Sequence, residues 1–290
     1  MYWLYALISG FFISGSTIVE KKILKTEHAL EYSVTFAVCN ALLSAPLAFF
    51  IDFSKIALTP LIIIFVVSIG HIISALFLTK ATRHMEISVV SPIMILAPGI
   101  TAALAFFFLG EALTRPQIGG LALLLVGLYV LETHPKVSFR ESARAFSSAR
   151  YMHFLLAAVV MQSFGAIADR YILTQYTIGV IGYLFFAQLF SAFHLLILSL
   201  VHYDGFREVS RGFRDGGWWI VLGSTLIIIS RLSLVQAISL GSVGLVVALK
   251  RMSGLFTALV GGELFHENHL LQKSIASAIM IVGVLLIALS

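Results

Sequence analysis

The sequence predicts an all-α integral membrane protein of ten transmembrane helices, arranged as two inverted five-helix repeats. Three observations lead there. Of 290 residues, 59% are hydrophobic and 11% charged, less than half the charged share of an average soluble domain. The charges sit in short clusters between long apolar runs, as in a chain that threads a bilayer many times. The second half of the chain also repeats features of the first.

The apolar runs cover roughly residues 2–22, 32–51, 60–80, 87–109, 116–132, 152–173, 179–201, 217–238, 243–262 and 270–289. Each is near the ~20 residues that a helix needs to cross the hydrocarbon, the fifth being a little short. None alternates with the period of a barrel strand, so helix is the expected element. Met1-Tyr2-Trp3 carries no basic n-region, and the first run is read as a retained span. The single cysteine, Cys39, excludes an internal disulfide framework. The net charge of +5 is spread over loops with no nucleic-acid motif. It points to membrane orientation and to no nucleic-acid partner.

The longest polar stretch, His134 to Arg150, divides the chain into 1–133 and 151–290, five runs each, with 134–150 as a basic interfacial linker. At a shift of 156, residues 81–127 lie over 237–283 without a gap and share eight identities in 47 positions. Ala81 falls on Ala237, Thr101-Ala102 on Thr257-Ala258, Glu111 on Glu267 and Val126-Gly127 on Val282-Gly283. The first runs match at a shift of 149, with Glu20-Lys21 over Asp169-Arg170. An odd number of crossings per unit turns the second copy upside down. That is the plan of secondary transporters whose site lies near the midplane between repeats.

The pattern of Ser91-Pro92 through Pro98, then Phe108-Leu109-Gly110-Glu111, then Gly119-Gly120 and Gly127, resembles the EamA module of the drug/metabolite transporter superfamily. The resemblance implies two such modules over essentially the whole chain. It also implies a ten-helix carrier with a central chamber and alternating access, usually an exporter of metabolites or amino acids. The second copy departs from the pattern, with Gly254 in place of Pro98 and His266 in place of Gly110.

Loops after the odd-numbered runs hold thirteen Lys and Arg residues, and the opposite side holds Lys55, Arg115 and Arg170. By the positive-inside rule both termini of this multi-pass plasma-membrane protein lie outside; the family resemblance implies termini inside. The basic stretches Ser138–Arg150 and Phe206–Arg214, with their interleaved phenylalanines, read as interfacial helices on an anionic leaflet.

Three cations remain, all inside spans. Lys250 and Arg251 lie seven to eight residues into the ninth run, roughly 10–12 Å along a helix. Arg231 lies near the middle of the eighth. Charge at that depth is costly and marks a pathway or site. Snorkelling to an interface is the structural alternative for the pair, and carbonyl bracing at a helix break is the one for Arg231. Asn40, His71, Gln162, Gln188 and His194 add polar atoms at similar depth, with Asn40 and Gln188 corresponding under the repeat. Singly each reads as interhelical glue; together they suggest a polar substrate chamber.

The carboxylates, Asp169 among them, are read as lying at span ends. That leaves no buried counter-charge and favours an anionic group on the substrate. Glu111 and Glu267 are expected to cap or lock the turn into the last helix of each repeat. Pro92, Pro98 and Gly254 are expected helix breaks that serve gating. The chain has no Walker loop, no dinucleotide fingerprint and no metal-spaced His/Cys cluster, so neither an enzyme nor a cofactor or metal is expected.

The expected activity is secondary transport, with export the expected direction, of a small polar or anionic metabolite such as an amino acid or an organic or phosphorylated anion. The alternative is a flippase for a phospholipid or lipid-linked sugar phosphate. Membrane lipids are the expected surroundings. A coupling proton, for which His71 or His194 is suited, another coupling ion and a homodimer stay open.

Overall fold

The computed structural model describes residues 1–23, 29–85, 87–132, 151–202, 206–256 and 270–290. Among these there is no β-strand. The helices are α1 (Tyr2–Ile23), α2 (Ala29–Ser44), α3 (Leu58–His84), α4 (Ile87–Leu109), α5 (Arg115–Glu132), α6 (Met152–Gln175), α7 (Gly179–His202), α8 (Phe206–Leu240), α9 (Val243–Lys250) and α10 (Leu270–Ala288). Two short 3-10 turns, Ala45–Phe50 and Phe53–Lys55, follow α2. Six segments are long and apolar enough to cross a membrane: Tyr2–Glu20, Tyr32–Phe50, Leu58–Thr82, Met152–Gln175, Gly179–Val201 and Gly216–Leu240. With backbone groups satisfied inside each helix, the arrangement suits a multi-pass membrane protein.

Helix α8 starts eleven residues before the expected span because its first part is the basic segment Phe206–Arg214. Gly217 separates that part from the apolar remainder with a positive φ of 48°, a conformation open to glycine and costly for other residues. Phe213 packs with Val19, Ile23, Tyr32, Cys39 and Ile220, so the segment is pinned to the helices by its apolar face. At the same level, the Lys22 ammonium lies 3.6 Å from the ring centre of Trp219. Lys80 lies 4.1 Å from that of Phe154, and His84 stacks on Tyr151. Aromatic rings under cations at helix ends suit a membrane–water boundary.

The expected breaks fall elsewhere. Helix α4 runs without interruption through Pro92 and Pro98. A proline removes a single N–H, a loss that a helix among neighbours tolerates. The interruption comes in the ninth run, where α9 stops at Lys250, turns through Arg251-Met252, and helix resumes at Ser253. Gly254 lies just past that turn and donates its N–H to the Arg251 carbonyl at 3.0 Å. Glu267 and the linker 134–150 lie outside the described residues.

The helices pack in a recurrent set of pairs: α1 on α8, α3 on α6, α2 on α7 and α8, α3 on α7, α4 on α6 and α9, α1 on α9, and α5 on α10. The largest core cluster lies where α9 meets α1, α4, α5 and α10, with Leu245, Leu249, Leu124 and Met280 fully enclosed. Helix α5 meets α10 through small residues. A Cβ built on Gly120 would stand 2.7 Å from the Gly283 carbonyl, and one on Gly283 would stand 2.8 Å from the Gly120 carbonyl. Such contacts let backbones pack closely where lipid offers no hydrophobic drive.

Because the clash would be with backbone, Gly120→Ala must push the two helices apart. The expected loss is about 1–3 kcal/mol, read as a lower melting temperature in detergent. The control Gly119→Ala, where a Cβ meets nothing within 4 Å, is expected to melt like the parent.

Candidate functional site

The site is built on the stop in α9. Residues Val243 to Leu249 are apolar and almost wholly buried, so the run is helix before the cations and the pair does not begin it. Lys250 is the last residue of α9, and Arg251 closes it, donating its N–H to the carbonyls of Val247 and Ala248. The carbonyl end of a helix carries partial negative charge, which favours cations. The end is braced by α1. Ser14 donates its hydroxyl to the Ser253 carbonyl at 2.8 Å, and a Cβ on Gly10 would come within 3.1 Å of the Lys250 carbonyl. One helix earlier, Ser230 donates to the Ser9 carbonyl at 2.8 Å and sets the position of its neighbour Arg231.

Lys250 feels the charges of Arg231 and Arg251, so the three cations are electrostatic neighbours. Lys250 and Arg231 also act on a carboxylate, which corrects the expectation that every carboxylate lies at a span end. Asp169 lies six residues before the end of α6 at Gln175, about 9 Å along the axis. It feels His71, Arg231 and Lys250 and accepts a hydrogen bond from the buried Tyr183 hydroxyl at 2.5 Å. His71, from α3, lies against the backbone of Gly165 one helical turn away on α6. Arg231 is exposed, and Lys250, Asp169 and His71 are half-buried.

The other expected contacts divide. Asn40 and Gln188 are buried on the packed helices α2 and α7. Asn40 Oδ1 and Gln188 Nε2 have no hydrogen-bond partner among the described residues. Gln162 is exposed on α6, next to Ser163, whose hydroxyl accepts from Thr101 at 2.9 Å. His194 belongs to the α3–α7 packing: its Nδ1 shares a hydrogen bond with Ser68 Oγ at 3.1 Å and its ring lies against Phe65. Among the described residues no group of three or more His, Cys, Asp or Glu could hold a metal.

A second cluster lies beside the first. Arg170, the residue after Asp169, donates Nε to Glu111 Oε1 at 2.8 Å and a terminal nitrogen to the Ile238 carbonyl at 2.6 Å. The other oxygen of Glu111 accepts the Val243 N–H at 3.0 Å, at the start of α9. One carboxylate thus ties the α4–α5 turn to α6 and caps α9, with side chains only 14% and 18% exposed. Successive helical residues point about 100° apart, so α6 directs Asp169 to the cations and Arg170 to this tie.

Residues 1–133 match the family model described as EamA-like transporter family. Residues 1–133 are thus similar to that family. The chain is 31% identical over 136 residues to "Uncharacterized transporter YwfM" of Bacillus subtilis (strain 168), covering 46% of each. It is 38% identical over 60 residues to "Uncharacterized protein MJ1333.1" of Methanocaldococcus jannaschii, covering 21% of this chain and 44% of that one. The chain thus spans about half the length of the curated relatives it matches. A solved structure described as "Crystal structure of protein" superposes with a TM-score of 0.74 over 99% of this chain and 96% of its own, at 16% identity; it speaks for the fold. Both the matched family and the Bacillus subtilis relative are described as transporters.

The tie gives a direct expectation. Arg170→Met strips two contacts to a charged group, each worth about 1.5–3 kcal/mol, and is expected to lower the detergent melting temperature clearly. Arg170→Lys is expected to recover only part of it, because a single ammonium cannot reproduce the guanidinium fork.

Proposed function

We propose that this protein is a ten-helix secondary transporter that moves a small polar or anionic metabolite by alternating access. In this reading residues 1–133 and 151–290 are inverted five-helix repeats joined by the basic segment 134–150. The pairing of helices supports it. Exchanging α1–α5 with α6–α10 turns the α1–α8 pair into α6–α3, α4–α6 into α9–α1, and α3–α7 into α8–α2, while α2–α7, α4–α9 and α5–α10 map onto themselves.

The observation that carries the function is the half-helix end. Lys250 stands at the carbonyl end of α9, with Arg231 and Arg251 as electrostatic neighbours. Several cations deep in a membrane protein suit a carboxylate or phosphate on the solute. Organic and phosphorylated anions and amino acids are the substrate classes this supports, and export from the cell is the direction. Asn40 and Gln188, with unpartnered polar atoms, are suited to contact the uncharged part of the solute.

Uptake and efflux in proteoliposomes, screened with a metabolite library, test the reading; folded protein that moves nothing above empty vesicles would sink it. Lys250→Met and Arg251→Met are expected to express and melt like the parent while losing flux, since a lost charge-assisted contact is worth roughly 1.5–3 kcal/mol, about ten- to a hundredfold in affinity. Asn40→Ala is expected to be milder. If the Met variants lose their fold before their flux, the cations brace the helices instead.

A further inference from the structure

The turns that follow α2, α4, α6 and α8 gather at one face of the molecule, where contacts join residues 1–133 to residues 151–290. The turn after α2 meets the turn after α6: Thr177 donates its hydroxyl to the Lys55 carbonyl at 3.3 Å, and Ile56 packs in one cluster with Ile178. The turn after α4 meets α6 and the start of α9 through Glu111. Its two oxygens accept from Arg170 Nε at 2.8 Å and from the Val243 N–H at 3.0 Å. Arg170 carries the link on to the end of α8 by donating to the Ile238 carbonyl at 2.6 Å. The face is thus drawn together above α9. Lys250, at the other end of that helix, lies about 10 Å beneath it.

We infer that the Glu111–Arg170 tie is the gate of this face: while it holds, it shuts the way from this side to the cations, and it parts when the carrier opens here. The inference rests on the transport reading above. In alternating access one half of the carrier moves against the other around a fixed site, so at some stage the halves separate on each face. Here they cannot separate without breaking the tie, because Glu111 belongs to one half while Arg170 and Val243 belong to the other.

The chemistry of the tie suits a contact that is made and broken. Its groups are a carboxylate, a guanidinium, a backbone N–H and a backbone carbonyl, and water can hydrogen-bond each of them once the face opens. Both charged side chains keep some exposure, so water has a short way in. The tie also reaches the site. The carboxylate that holds Arg170 caps the half-helix whose far end carries Lys250. A displacement of α9 by a solute at the cations is therefore felt at the gate, and release of the gate frees the start of α9.

Side-specific labelling tests this with no solute present. Ser253→Cys, in a Cys39→Ala background, is modified by an uncharged, membrane-impermeant, sugar-linked methanethiosulfonate in whole cells and in inverted membrane vesicles. Thr174→Cys, exposed and four residues beyond Arg170, shows which preparation presents the side of the tie. Rates are read below the melting temperature of each variant. Glu111→Gln keeps an acceptor for the Val243 N–H and loses the charge that strengthens the hold on a guanidinium. It is expected to raise the Ser253→Cys rate from the side of the tie at least about tenfold, with the rate from the other side equal or lower. Arg170→Met is expected to do the same, although its change of charge is opposite. A rate from the side of the tie that stays at the parent's value in either variant overturns the inference, as does a parent that already reacts as fast from that side as from the other. A rise of equal size from both sides assigns the tie to the stability of the fold alone and overturns it too. The flux screen decides the transport reading separately.

Discussion

The carbonyl end of α9, stopped inside the protein at Lys250, is the constraint on which the rest depends. A half-helix ending among other helices presents partial negative charge at its carbonyl end. Lys250 and Arg251 answer that charge and bring two cations with them. Two further demands follow. The half-helix must be fixed at both ends, and the cations must be compensated. Glu111 meets the first at Val243, while Gly10 and Ser14 on α1 meet it at Lys250 and Ser253. Asp169, held by the Tyr183 hydroxyl, supplies one negative charge toward the second.

The two demands meet on α6. Asp169 faces the cations and Arg170 completes the tie between Glu111 and the end of α8. A shift of α6 that altered the one would strain the other, so charge in the cluster and closure of the α4–α5 turn on α9 are mechanically adjacent. The small-residue contact of α5 with α10 carries no charge and stands apart as the frame against which such a shift would occur.

Much of the fold was legible in the sequence because apolar runs and polar gaps are local. Helix α4 spans Ile87–Leu109 as expected, its run bounded by Glu86 and by Gly110, which takes a positive φ. The stop in α9 was not legible: Val243 to Gly262 reads as one run, and the bracing comes from Gly10 and Ser14 some 240 residues away in the chain. Lys250, Arg251 and Arg231 stood out because charge in an apolar run is conspicuous. Asp169 did not, because counting residues to a span end hides a carboxylate that its neighbours draw inward. Tyr183 was passed over for a similar reason, since a tyrosine near a helix end reads as an interfacial anchor. Glu111 was visible as a capping residue, but its partners Arg170 and Val243 lie 59 and 132 positions away and carry no local signal.

The central claim is that water reaches a net-cationic chamber at the end of α9, and the charge preference of that chamber can be measured without knowing the solute. Ser253→Cys, in a Cys39→Ala background, places a thiol beside Lys250 and Arg251 and leaves both in place. Its modification by a membrane-impermeant anionic methanethiosulfonate is compared with that by the cationic reagent, each normalised to an exposed cysteine at Thr174. Faster reaction with the anionic reagent is the predicted result. A thiol that neither reagent reaches from either side of the membrane, or one that the cationic reagent modifies faster, would contradict the account.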